Sequence, residues 1–283
     1  MRTASTAQAA RPVLRSRFRG WWKFAALPFL FFLAVPLLAL FLRTTPGVLV
    51  RHLGDPAVLQ AIELSLVTSI ITVLLTVLLG TPVAYYLSHR HYRFYRLVET
   101  LVELPTVLPP AVAGLALLMA FGRRGLIGQA LSVFGISLPF TPAAVVMAQL
   151  FVAAPLYIRA AALGLQAIDC DLKKSAALDG ANRWQIFWHI MLPMSWTGFF
   201  SGGVLTWARA LGEFGATVIF AGSFPGRTRT MPLAIYLGFE IDLEAALALS
   251  VILVIVSFAA LMLVKYWFYR TVEPPSHEND DCY

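Results

Sequence analysis

Several apolar runs in this 283-residue chain reach or exceed the roughly twenty residues a helix needs to cross a bilayer. No other feature limits the fold so strongly. Charged residues make up 13% and apolar residues 59%, too few charges to cover a water-facing surface. The chain reads as a multi-span α-helical membrane protein. The formal net charge of +7 raises nucleic acid as a partner. That partner is set aside, because the basic residues sit in short segments beside apolar runs, where they report membrane orientation.

Six spans can be drawn, over residues 24–42, 58–87, 107–121, 142–165, 196–220 and 243–268. The second is long enough to tilt or to project from the bilayer. The third is short and is entered through Pro105, Pro109 and Pro110; Pro155 predicts a kink in the fourth. The aromatic run Tyr266-Trp267-Phe268-Tyr269 closes the sixth at an interface. The first span follows a basic stretch but is too long for a signal-peptide core and lacks a small-residue cleavage site, so it is expected to be retained. With the N-terminus inside, the inner segments hold 14 lysines and arginines and the outer loops 6. This bias places both termini in the cytoplasm. The expected organisation is a basic inner segment (1–23), a six-span domain (24–269) and an acidic cytoplasmic tail (270–283). The two cysteines, Cys170 and Cys282, fall in inner segments, where a disulfide is not expected. No metal-ligand spacing is present.

Between the fourth and fifth spans lies a polar segment, about 169–195, in the cytoplasm. It reads as two short helices. Asp169 and Asp171 favour the start of the first. Gly180 permits a sharp turn, and Asn182 can cap the second. Trp184, Phe187, Trp188 and Met191 recur there at helical spacing, and Pro193 closes it. A helix lying along the membrane interface fits as well as a docking site for a soluble partner.

Arg209 and Glu213 share one helix face within the fifth span. They can border an anion path or neutralise one another; the ion pair is preferred, because a neutralised arginine attracts an oxyanion poorly. Ser65, Thr68, Ser69, Thr72 and Thr76 recur on one face of the second span. They can line a polar path or mediate close helix packing. Gly198 and Gly202 form a small-xxx-small pair suited to packing. Arg123, Arg124, Arg227 and Arg229 lie in outer loops, where they can attract an anion or an acidic protein. The run from His89 to Arg96 reads as an orientation signal beside lipid headgroups.

The segment Lys174-Ser175-Ala176-Ala177-Leu178-Asp179-Gly180, followed by Ile190-Met191-Leu192-Pro193, resembles the EAA loop of ABC importer permeases. That pattern is Glu-Ala-Ala, three residues, Gly, nine residues, Ile-x-Leu-Pro. Lys174 departs from it at the glutamate and Ser175 at the first alanine. The resemblance covers roughly residues 55–268. Within it, the runs 103–114, 122–128, 208–217 and 224–233 are similar to molybdate permeases, and sulfate relatives tend to carry Tyr in place of Phe214. The resemblance implies the type I importer permease fold. It also implies a coupling helix seated on an ATPase through Lys174, Ser175, Ala176, Ala177, Asp179, Gly180, Ile190, Leu192 and Pro193.

The implied assembly is a homodimer in the plasma membrane with two ATPase subunits inside and an oxyanion-binding protein outside. The implied cargo is molybdate or tungstate, with a sulfate permease as the alternative. A gradient-driven transporter and a scaffold without transport are rival classes. No phosphate-binding loop of the Gly-x-x-x-x-Gly-Lys type occurs in the chain. ATP and magnesium would be held by the partner, and neither a cofactor nor a catalytic residue is expected here.

Overall fold

The computed structural model describes residues 18–89 and 93–272. All regular structure among them is helical. The chain divides into two compact units, Met1–Thr45 and Pro46–Tyr283. The first contains α1 (Phe18–Arg43), which encloses the expected first span and carries Pro28 and Pro36 inside the helix. The basic residues before Phe18, the loop residues 90–92 and the tail after Val272 lie outside the described residues.

The second unit holds α2 (Pro46–Leu53), α3 (Pro56–Ser88), α4 (Tyr95–Val107), α5 (Pro110–Phe121), α6 (Gly128–Val133) and α7 (Pro142–Gln166). It continues through α8 (Cys170–Leu178), α9 (Arg183–Ile186), a π-helical turn (Phe187–Met191) and α10 (Leu192–Met194). It ends with α11 (Trp196–Leu211), α12 (Gly215–Phe220), α13 (Met231–Ile241) and α14 (Leu243–Val272). The start of α3 follows from its sequence: the Asp55 carboxylate accepts from the Ala57 amide at 2.9 Å, and Pro56 takes the first helical position. At 33 residues α3 is roughly 50 Å long, well beyond the bilayer core.

Four of these helices, α1, α3, α7 and α14, are long and apolar enough to cross a membrane. The protein is therefore multi-pass. Two of the six spans drawn from sequence take a different form. The third was expected over 107–121, but its helix begins only at Pro110. It is preceded by α4, and the two axes differ by 116°. Leu108 and Pro109 are extended, with ψ of 135° and 134°; each precedes a proline, whose ring disfavours helical backbone in the residue before it. The fifth span, expected as one helix over 196–220, is interrupted at Gly212-Glu213-Phe214. By contrast, α7 is one helical element through Pro155.

Among the described residues, three apolar clusters hold the second unit. One joins α3, α7, α11 and the segment between α7 and α11 through Ala84, Tyr157, Leu165, Ile186, Met191 and Phe199. Another joins α5, α7 and α12, and a third joins α3, α11, α13 and α14. Buried hydroxyls on α3 supply the polar contacts. Ser65 Oγ accepts from the Met231 amide at 2.7 Å, satisfying a donor left free at the start of α13. Ser69 Oγ accepts from Trp207 Nε1 at 2.9 Å, and Thr72 donates to Gln149 Oε1 at 3.0 Å. Thr68 bonds back to the Leu64 carbonyl. Ser65, Ser69 and Thr72 thus hold helix to helix, whereas Thr68 bonds within α3.

Glycines also bring α7 and α11 into close approach. A Cβ placed at Gly198 would lie 2.9 Å from the Ala160 carbonyl oxygen, and one at Gly202 would lie 2.9 Å from Ala160 Cβ. Gly203, one residue on, has nothing within 4 Å. Overpacking a tight contact costs about 1–3 kcal/mol. Gly198→Leu should therefore lower the melting temperature of the detergent-solubilised protein clearly, whereas Gly203→Leu should leave it nearly unchanged.

Candidate functional site

The segment joining α7 to α11 is an elbow whose shape follows from residue types at fixed offsets. Asp169 opens α8, its carboxylate accepting from the Asp171 amide at 2.9 Å. At the other end Gly180 has φ of +89°, a conformation that side chains with a Cβ disfavour. The Ala181 amide reaches back to the Ala176 carbonyl at 3.0 Å, and the Gly180 amide to that of Ala177 at 3.2 Å. These are the two bonds of a Schellman termination. Ala176 and Ala181, on either side of the turn, both pack against the α3–α7–α11 cluster. A capping box then starts α9: the Gln185 amide donates to Asn182 Oδ1, and the Asn182 amide to Gln185 Oε1, both at 2.8 Å.

The second half of the elbow departs from expectation. It does not stop at Pro193. A π-helical turn precedes α10, and the helix ends at Ser195, whose hydroxyl donates to the Met191 carbonyl. In a regular α-helix the ring of Pro193 would crowd the carbonyl four residues before it; the wider turn accommodates the ring. Of the four residues at helical spacing, Trp184, Phe187 and Trp188 line one groove. Met191 is buried, as is Ile186, but Trp184 and Trp188 are exposed. The groove is apolar, about 1140 Å³ in volume, and Leu74, Leu78, Trp196 and Trp207 also line it.

The elbow therefore has an anchored side and a free side. Ala176, Ile190 and Leu192 are half-buried, while Lys174, Ser175, Ala177, Asp179, Gly180 and Pro193 are exposed. Leu178 is 87% exposed, an apolar side chain at the tip of a polar segment. Beside it Asp179, Gly180, Gln185, His189 and Ile190 line a hollow of about 420 Å³. Lys174 pairs with Asp171 on its own helix at 2.9 Å, and both side chains are exposed. Such a pair contributes little stability, so the lysine is readily available to another protein.

Arg209 and Glu213 meet as a mutual pair, Nη1 to Oε2 at 2.7 Å. The Glu213 side chain is 1% exposed, and its other oxygen accepts from the Ala216 amide at 2.9 Å. One carboxylate thus ties the end of α11 to the start of α12 across the break at 212–214. In the loops expected outside, Arg123 Nε donates to Ser137 and Arg229 Nε to Ser223, each at 3.3 Å. A further pair joins Arg159 to Glu103 at 2.6 Å. Sequence spacing gives no sign of it, because the partners are 56 positions apart. The only cue is that an arginine inside a span needs a partner. No group of metal-ligand side chains occurs among the described residues.

Residues 76–275 match the family described as binding-protein-dependent transport system inner membrane component. The chain belongs to this family. It is 43% identical over 244 residues to the molybdenum transport system permease protein ModB of Mycobacterium tuberculosis, covering 86% of this chain and 92% of that one. It is 39% identical over 245 residues to the probable transport system permease protein NifC of Clostridium pasteurianum, covering 86% of each. The sulfate transport system permease protein CysW of Synechococcus elongatus is 34% identical over 184 residues, covering 65% of this chain and 64% of that one. A crystal structure of a bacterial ABC transporter involved in the import of alginate has the same fold, with a TM-score of 0.71 over 90% of this chain and 98% of that chain at 18% identity. The expected fold class, an all-α importer permease, holds.

Removing Arg209 leaves the buried Glu213 carboxylate without its counter-charge, which is destabilising. Arg209→Ala should abolish transport and lower the melting temperature; wild-type transport at normal membrane levels would contradict the role of the pair.

Proposed function

We propose that this chain is the membrane permease subunit of an ATP-driven importer of molybdate or tungstate. The observation that carries the cargo is the near-full-length similarity to a molybdenum permease, against a shorter and weaker match to a sulfate permease. Sulfate remains the second reading, because the two oxyanions share charge and shape.

The elbow supports a docking role. Its fixed turn presents Leu178, Lys174 and the hollow beside Gly180, while Ile186 and Met191 anchor it to the core. A soluble ATPase subunit gripping the free side moves the anchored side with it. The chain itself lacks the phosphate-binding loop that ATP hydrolysis requires, so the energy comes from that partner, which holds ATP and magnesium. Two copies of the chain, each with an ATPase inside, form the path at their twofold axis. A binding protein outside delivers the oxyanion. Closing of the ATPase pair favours an outward-open path, and hydrolysis restores the inward-open one, as two populated states biased by nucleotide. Both chain termini and the elbow face the cytoplasm.

The test is uptake of labelled molybdate by cells that make the chain together with its ATPase and binding protein. Tungstate should compete, and sulfate in large excess should not. Sulfate competing as well as tungstate would reassign the cargo, and uptake without any ATPase would overturn the coupling.

A further inference from the structure

Two arginines, Arg159 and Arg209, fall inside the spans drawn from sequence, and their surroundings differ. Arg209 faces a buried carboxylate whose second oxygen is already engaged. Arg159 lies on α7, seven residues before its end at Gln166, roughly 10 Å along the axis. Its Nη1 donates to Glu103 Oε1 at 2.6 Å, yet the two side chains are 67% and 42% exposed. No other hydrogen bond from this guanidinium occurs among the described residues. Most of a five-donor fork is therefore available.

An arginine and a glutamate exposed beside a helix long and apolar enough to cross a membrane cannot face hydrocarbon without a large cost. The surface that carries them meets water or protein. In water the pair is weak and exchangeable. A guanidinium fork matches two oxygens of a tetrahedral anion, whereas Glu103 engages it through a single contact. A dianion also carries twice the charge of a carboxylate.

We propose that Arg159 contacts the oxyanion in the inner half of the translocation path, and that Glu103 is a built-in carboxylate occupying Arg159 when no cargo is present. This rests on the oxyanion-importer reading. Cargo arriving at Arg159 displaces Glu103, which loosens α4 from α7. Departure of the cargo lets the pair close again. Arg209 has no such exchange available, because Glu213 also holds α12.

Two readouts on the complex with its ATPase test this. In the purified wild-type complex, residue-resolved mass spectrometry follows modification of Arg159 by phenylglyoxal, with and without tungstate. Tungstate should slow the modification. In Glu103→Gln, which removes the competing charge at constant length, the same protection should appear at about fivefold lower tungstate. In cells, Glu103→Gln should retain molybdate uptake, while Arg159→Gln should lose it. The proposal is overturned if tungstate leaves the modification rate of Arg159 unchanged. It is equally overturned if assembled Glu103→Gln is as inactive as Arg159→Gln, since the pair would then be a clamp between α4 and α7. A wild-type chain that takes up no molybdate with all its partners present would instead refute the importer reading itself.

Discussion

The close contact between α7 and α11 is the constraint on which the rest of the molecule depends. Gly164, Gly198 and Gly202 let the two backbones approach, and Ala160 fills the space between them. In a bilayer, where the hydrophobic effect does not drive helices together, such van der Waals contact is a main source of association. These two helices are also the ones the elbow connects. Ile186 and Met191 of the elbow enter the same apolar cluster as Tyr157 of α7 and Phe199 of α11. A force on the free side of the elbow therefore reaches a packed unit, and α3 follows through the Ser69–Trp207 and Thr72–Gln149 bonds.

Much of the elbow is legible in the sequence because turn and cap chemistry is local. A glycine at positive φ, an asparagine followed three residues later by glutamine, and an aspartate ahead of a helix each act within a few positions. The spans are legible as apolar runs, but their interruptions are less so. Pro109 and Pro110 announce a break, yet the direction α4 takes from it depends on packing against α7. The break at Gly212-Glu213-Phe214 has no proline to mark it. It depends on a carboxylate bonding forward to the Ala216 amide, a contact that helical spacing alone disguises as a simple i, i+4 ion pair. The π-helical turn before Pro193 is likewise a response of the chain to a ring clash, and the proline reads from sequence as a helix end. The Glu103–Arg159 pair is tertiary and leaves no trace in any local pattern.

The polar residues of the membrane domain divide by how fully each is satisfied. The buried hydroxyls of α3 and the buried Glu213, paired with a half-buried Arg209, are committed to neighbours, which suits structural roles. Arg159, Glu103, Lys174 and Leu178 are exposed and weakly committed, which suits contacts that form and break. An importer needs both kinds: a frame that moves as a body, and surfaces that exchange partners during each cycle.

The claim that matters most is that the Gly180 elbow faces the cytoplasm and is gripped there by an ATPase. It can be measured with Leu178→Cys in a chain whose native Cys170 and Cys282 are replaced by serine, using a thiol reagent that does not cross membranes. The expected result is no labelling in intact cells, rapid labelling in inverted vesicles stripped of the ATPase, and protection when the ATPase is restored. Labelling from outside intact cells, or equal labelling with and without the ATPase, would contradict it.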